Sequence, residues 1–440
     1  MGEEFAKVVR DPIYGYIGLT DKQLKVITLP VYQRLRRVSQ LSFAELVYPN
    51  ATHTRFSHSL GVMELARRVG KYIRTVYPEI EDIYVEALEW AGLLHDIGHF
   101  PFSHVFEPAA AEFIEGKGKT WKDFHGRWGQ RILKDERFGI KGEIPDEILG
   151  LVIKLIDKDE ACGYKILDDT VSGYFSIDRL DYLRRDAYHA GTPEYAIIDT
   201  DRLINSALRY EDTTISVYKD KCCYVLEGAI LSYFYMYRAI YYHKTVRAGY
   251  LLFEDVLRDA FENSDLFKNK EWLEPSFWHN FDDYRCLALL RGEEAVAEKL
   301  SLLLSRKLPK VIKETELDPP NVVSVCKICQ EPTYDNKIKS ERALIEKLKG
   351  SWPDLLIVYL DSPFLVPYPP TPFGVFDYSF LWSGKNNEDL VPFAKKAPHL
   401  GHLAEASEQA RVYANPVWKT DEEKAKFIND LKVAMKELRG

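Results

Sequence analysis

The sequence predicts a mainly α fold with a small β-hairpin and a C-terminal α+β lobe, on three observations. Apolar residues recur at helical spacing from Thr20 to about residue 307, one alternating stretch interrupts them at 210–227, and after Leu308-Pro309 the texture turns β-like and proline-rich. A chain of 440 residues is long enough for one large core or two to three domains of ~100–200 residues each, and we place the division at 1–308 and 309–440.

Residues 1–20 read as an extended, turn-rich opening broken by Asp11-Pro12 and Gly15, with Thr20 or Asp21 capping the first helix. Helical periodicity follows in HSLGVMELARRVGKYIRTVY, EDIYVEALEWAGLLHDIGH, DEILGLVIKLID and SIDRLDYLRRDAYHAG, the last closed by Gly191. TTISVYKD and CCYVLEG alternate around Asp220-Lys221 and read as a hairpin. A tyrosine-rich helix then covers about 228–247. Beyond 308, NVVSVCKIC, DLLIVYL and FGVFDYSFLWS read as β-like, and DEEKAKFINDLKVAMKEL as a closing amphipathic helix.

Composition narrows the function classes. A net charge of -8 argues against broad attraction to nucleic acid, which rests on many Lys and Arg phosphate contacts. No apolar run approaches the ~20 residues needed to cross a bilayer. Six scattered cysteines and a start without the apolar core of a signal peptide predict a reducing cytoplasm. Cys326-x-x-Cys329 lacks a second Cys or His pair and reads as ordinary strand rather than zinc site.

Six of the 11 histidines, His53, His58, His95, His99, His104 and His125, fall between 53 and 125. Imidazole with carboxylate is the donor set of a catalytic Zn, Fe or Mn site. In GLLHDIGHFPFSHVFE an apolar helix ends in His95-Asp96, a costly place for a charge unless other ligands surround it. His99, four residues after His95, is expected on the same helix face, with Pro101 ending or bending the helix and re-aiming His104. In IDRLDYLRRDAYHAG, Asp178, Tyr182, Arg185 or Asp186, and His189 recur about once per turn and form a polar face. YFYMYRAIYYHK supplies aromatic rings with polar tips, suited to a core or to a nucleoside pocket.

These segments, with KVVRDPIYGYI, YQRLRRVSQL and RFSHSLGV in the same order, resemble the HD-domain deoxynucleoside triphosphate triphosphohydrolases over about residues 7–250, in particular those related to the sterile-alpha-motif and HD-domain dNTPase. The resemblance implies an HD-domain helical core in which His58, His95, Asp96 and Asp178 bind a metal ion. It implies that His99, His104 and His125 face the α-phosphate beside Glu107, which replaces an Asp of close relatives and keeps the carboxylate on a longer arm. Arg55, Arg179 and Tyr182 match phosphate or sugar contacts. Asp186 and Gln40 match residues that hold the 3′-hydroxyl, and Leu41 and Tyr241 those that crowd the 2′ position.

His104 is the preferred acid for the departing 5′-oxygen, a poor leaving group. Thr28 stands where guanine-activated relatives carry Asp, and Tyr233 where they carry an Arg, while Lys7, Gln33 and Arg36 either keep an allosteric nucleotide site of different base preference or simply pack the entry segment. The implied partners are deoxynucleoside triphosphates, an activating nucleotide and further copies of the chain in a dimer or tetramer. The implied cofactor is Fe, Mn, Zn or Ni, with Mg joining on the substrate phosphates. The alternatives are hydrolysis of another nucleotide phosphoester and a nucleotide-sensing regulator.

Overall fold

In the computed structural model, which describes residues 5–116, 123–157, 160–173, 175–210, 216–219, 223–312, 316–317, 319–330, 334–362, 380–382, 390–392 and 410–438, the chain opens with an antiparallel hairpin. Its strands are β1 (Lys7–Asp11) and β2 (Gly15–Leu19), with Asp11 opposite Gly15. Asp11 Oδ1 accepts the backbone N–H groups of Ile13 and Tyr14, which closes the turn. Helix α1 (Asp21–Thr28) starts in a capping box: Thr20 accepts from the Gln23 N–H, and Gln23 accepts from the Thr20 N–H.

The spine is α2 (Arg55–Val76) packed along α3 (Asp82–Leu94), with α8 (Ile177–Ala190) laid against α2. Helices α4 (Glu107–Glu115), α5 (Phe124–Lys134), α6 (Asp146–Ile156) and α7 (Lys165–Ser172) complete the wall around the end of α3. Gly191 closes α8 at φ 74°, in the left-handed region that favours glycine.

Four expectations need correction. First, α3 stops at Leu94, with His95 as its C-cap, so His99 does not share its face. A turn over Asp96–Gly98 carries His99 away, because a Cβ on Gly98 would lie 2.1 Å from His125 O and the segment is pressed against α5. Second, β3 (Leu208–Tyr210) pairs with β4 (Ser216–Lys219), but the described part of CCYVLEG, from Cys223 on, belongs to α9 (Cys223–Met236). Buried Val225, Leu226, Ala229, Ile230 and Tyr233 follow a helical period that seven residues of alternation concealed. The turn expected at Asp220-Lys221 lies outside the described residues.

Third, the tyrosine-rich helix is not continuous: a π-helical turn, Tyr237–Tyr241, separates α9 from α10 (Lys244–Asn263). Fourth, NVVSVCKIC lies in α13 (Pro319–Gln330), not in a strand. Buried Asn321, Ser324 and Val325 and partly buried Ile328 fall at helical spacing, which outweighs the β preference of valine.

Helices α11 (Asp283–Leu290) and α12 (Ala297–Leu304) lead into the C-terminal segment. There β5 (Lys310–Ile312), α14 (Tyr334–Lys349), β6 (Val358–Asp361), β7 (Phe380–Trp382), β8 (Leu390–Pro392), β9 (Arg411–Ala414) and α15 (Asp421–Glu437) follow α13. The strands form an antiparallel sheet in the order β5-β9-β6 and a second sheet, β3-β4-β7-β8, in which β4 and β7 run parallel. Val358, Leu360, Val412 and Ala414 alternate onto a second buried cluster with Leu344, Phe427 and Leu431. FGVFDYSFLWS contributes β7, and its remaining residues lie outside those described.

Candidate functional site

The first turn of α2, the end of α3 and the first turn of α8 meet at four polar side chains. His58 Nε2 lies 3.2 Å from His95 Nε2, 3.1 Å from Asp178 Oδ1 and 3.7 Å from Asp96 Oδ2, and His95 Nε2 lies 3.2 Å from Asp96 Oδ1. His58 donates through Nδ1 to Asp181 and His95 through Nδ1 to Gly92 O, so each ring in its neutral form turns an Nε2 lone pair inward, His58 after giving up the proton it shares with Asp178. Two such lone pairs cannot bond each other, but both suit a cation, and ~3.3 Å is the spacing of donors around a tetrahedral ion with ~2.0–2.1 Å bonds. The residues present therefore fit a divalent ion.

The electrostatics agree. Burial works against charge on His58, yet its bonds to Asp178 and Asp181 hold it up at about 10. Burial favours the neutral form of Asp96, but Arg55, His95 and His99 hold it well below the usual carboxylate range. Asp178 falls to about 2 because the His58 bond and the nearby His95 outweigh desolvation. Ionised carboxylates this close together demand positive charge.

Sequence reasoning missed the support beneath these donors. Asp181 holds His58 with Oδ2 and is itself gripped by Arg185, whose Nη1 reaches Asp11 at 2.7 Å. All three are buried, which ties the opening hairpin to the site. Gly61 makes this possible: a Cβ there would lie 2.0 Å from Asp181 Oδ1. The signals were a Gly three residues after His58 and an Asp three residues after Asp178.

A second cluster surrounds Glu107 at the start of α4. His99 donates through Nδ1 to Oε1 at 2.5 Å, and His104 and His125 donate through Nδ1 to Oε2 at 3.0 and 3.3 Å. The longer arm of Glu107 thus reaches all three imidazoles. Despite burial, the three rings hold Glu107 well below the usual range. Burial, with Arg55 and His125 nearby, pushes His99 down to about 3. His99 Nε2 lies 3.2 Å from Asp96 Oδ1, which joins this cluster to the first.

The loop carrying these residues is strained and braced. Phe102 and Ser103 adopt φ of 54° and 49°, each costing ~1–3 kcal/mol. Phe102 N–H donates to Asp283 Oδ1, and Ser42 Oγ donates to Phe102 O. Buried Arg34 donates to the carbonyls of Ile97, His99 and Phe281, which gives YQRLRRVSQL a structural purpose.

Arg55 donates to Asp96 Oδ2 at 2.7 Å and to Ser103 Oγ at 2.6 Å, beside both clusters. Asp186 accepts from His53 Nε2 at 2.7 Å and from Tyr241 Oη at 2.6 Å, and the Tyr182 ring lies edge-on to Tyr241. The Gln40 backbone N–H bonds His53 O, its side-chain Oε1 is buried without a partner among the described residues, and Leu41 is partly buried against the core. Arg179 sits 5.7 Å over the Tyr233 ring.

Gln33 and Arg36 bond each other, and Gln33 also donates to Ile27 O, while Lys7 is exposed at the start of β1. A cavity of about 330 Å³ opens on His95, His125 and Asp178 between α5, α6 and α7. No described helix is long and apolar enough to cross a membrane.

Comparison with known proteins places this geometry. Residues 55–181 match the HD domain and residues 198–347 the HD associated region. The chain is 31% identical over 286 residues to an HD domain-containing protein of Acanthamoeba polyphaga mimivirus, covering 61% of this chain and 60% of that one. It is 29% identical over 321 residues to the deoxynucleoside triphosphate triphosphohydrolase SAMHD1 homolog of Dictyostelium discoideum, covering 71% and 59%. It spans less than two thirds of the length of either relative. The crystal structure of a hypothetical protein from Aquifex aeolicus superposes with a TM-score of 0.69 at 25% identity, over 98% of this chain and 99% of that one. The chain therefore carries an HD domain followed by an HD associated region, and is related to the SAMHD1-like enzymes at about 30% identity.

Proposed function

We propose that this protein hydrolyses deoxynucleoside triphosphates at the α-phosphate, giving a deoxynucleoside and inorganic triphosphate. The observation that carries this reading is His99, which links Asp96 of the metal-type cluster to Glu107 of the imidazole cluster at 3.2 and 2.5 Å. A phosphorus bound there has cation donors on one side and proton donors on the other.

A divalent ion held by His58, His95, Asp96 and Asp178 would polarise a phosphoryl oxygen. Arg55 keeps further N–H donors for phosphate oxygens after bonding Asp96 and Ser103, and Arg179 and Tyr182 extend that grip along the triphosphate. The His104 side chain is 51% exposed against 2% for His99, so it is the reachable acid for the departing 5′-oxygen. Glu107 fixes its Nδ1 and leaves Nε2 to deliver the proton. His99 and His125 orient water or steady the phosphoryl charge.

The deoxyribose assignment rests on Gln40, whose buried Oε1 has no partner among the described residues and suits a donor such as the 3′-hydroxyl. Asp186 takes the other side of that hydroxyl, and Tyr241 with Leu41 excludes a 2′-hydroxyl. The relative from Dictyostelium bears the name of this activity.

The same reading makes residues 1–308 the catalytic unit and 309–440 an accessory lobe of a cytoplasmic dimer or tetramer. It makes Fe, Mn, Zn or Ni the resident ion with Mg on the phosphates, and Gln33, Arg36 and Lys7 the remnant of an activating-nucleotide site. The test is hydrolysis of each dNTP and rNTP by metal-reconstituted protein, with the products resolved and candidate activating nucleotides titrated. Triphosphate and deoxynucleoside in equal amounts are expected; release of phosphate or pyrophosphate instead would assign another phosphoester.

A further inference from the structure

We propose that His99, His104, His125 and Glu107 form a second, inhibitory transition-metal site, selective for zinc-like ions over magnesium and separate from the His58, His95, Asp96 and Asp178 set. One nitrogen of each imidazole and one Glu107 oxygen lie within 4.8 Å of one another. The His104 and His125 Nδ1 atoms stand 3.0 and 3.3 Å from Glu107 Oε2, close to the ~3.3 Å edge of a tetrahedral site. Four protein ligands make a closed set, in contrast to the open catalytic kind, and three imidazoles with one carboxylate suit zinc, not the all-oxygen preference of magnesium.

The set is rigid where it must be and open where an ion must enter. His99 and Glu107 are buried, and the loop beneath them is pinned by Arg34 and Asp283. His104 is exposed and forms the door. The rings are already mutually oriented: His99 and His125 stack at 4.0 Å, and His104 stands edge-on to both.

Binding replaces the hydrogen bonds from Nδ1 to Glu107 by bonds to the ion. A neutral ring then carries its single N–H on Nε2, and a protonated ring releases one proton to solvent. A ligated His104 cannot hold two N–H protons, so it can no longer serve as the acid assigned to it above. That consequence rests on the proposed reaction; the site itself does not.

The experiment is zinc titration of the full chain already holding one equivalent of metal, read by calorimetry and by metal analysis after gel filtration. A second equivalent is expected, weakened about tenfold or more by His104→Ala and by Glu107→Gln while the first equivalent stays. Occupancy that stops at one equivalent, or a second equivalent indifferent to His104→Ala, overturns the proposal. Because His104 is exposed, that variant decides the matter even if Glu107→Gln unfolds. Bound zinc is measured without substrate, so failure of the triphosphohydrolase reading would show separately, in the products.

Discussion

His58 Nδ1 lies 2.7 Å from Asp181 Oδ2, and this one bond decides which face of the imidazole is left for an ion. Asp181→Asn should let the ring turn and lower metal affinity about 10- to 100-fold, measured by metal content after dialysis. Asp181→Ala should also cost roughly 3–5 kcal/mol in thermal unfolding, since Arg185 would lose the buried carboxylate that takes two of its bonds. Full metal occupancy in both variants would mean that Asp181 does not orient His58.

Glu107 holds three imidazoles by their Nδ1 atoms. Glu107→Gln offers one acceptor oxygen where the carboxylate offered two. Hydrolysis should fall about 10²- to 10⁴-fold with the first equivalent of metal retained. Activity within about twofold of wild type, below the range of acid-base effects, would remove Glu107 from the mechanism.

Asp283 accepts from Phe102 N–H and Ser39 N–H, yet burial raises it to about 7. An unfolded Asp ionises near ~4. Between those values the folded chain keeps a proton that the unfolded chain has lost, so this contribution to stability is full below ~pH 4 and gone once pH passes 7. Wild-type melting temperature should therefore drop relative to Asp283→Asn from pH 5 to pH 8, the gap corresponding to a few kcal/mol. Parallel curves would show that Asp283 titrates normally.

The C-terminal segment reaches the proposed sugar pocket through Arg411, whose Nη1 donates to Tyr242 O at 2.6 Å, next to the Tyr241 that bonds Asp186. Arg411 pairs across the sheet with Asp361, which takes two bonds from Arg247. Arg411→Ala should leave metal content unchanged, raise KM for deoxynucleotides about fivefold and narrow discrimination against ribonucleotides, an effect of ~1 kcal/mol. Unchanged constants for both substrate classes would disconnect the lobe from the pocket.

The site was legible in the sequence wherever function needs a specific donor near a helix end. His95 and Asp96 stand out because imidazole and carboxylate end an apolar helix, where burial would otherwise penalise them, while His58 and Asp178 were joined to them by the resemblance. Thr20 and Gly191 were legible for a similar reason: caps are local hydrogen-bond and backbone chemistry. Short segments such as NVVSVCKIC and CCYVLEG were not, because a few alternating residues satisfy a strand and a helix alike until a neighbour selects the buried face.

The residue types at the site were thus fixed by the chain itself, since only certain side chains donate to a cation or move a proton. Tertiary packing alone decided the rest. It turned His99 off α3 and onto Glu107, seated Asp181 and Arg185 against Gly61, and left Gln40 Oε1 without a partner among the described residues. Those outcomes depend on distances between segments far apart in sequence, and pattern along one chain carries no record of such distances.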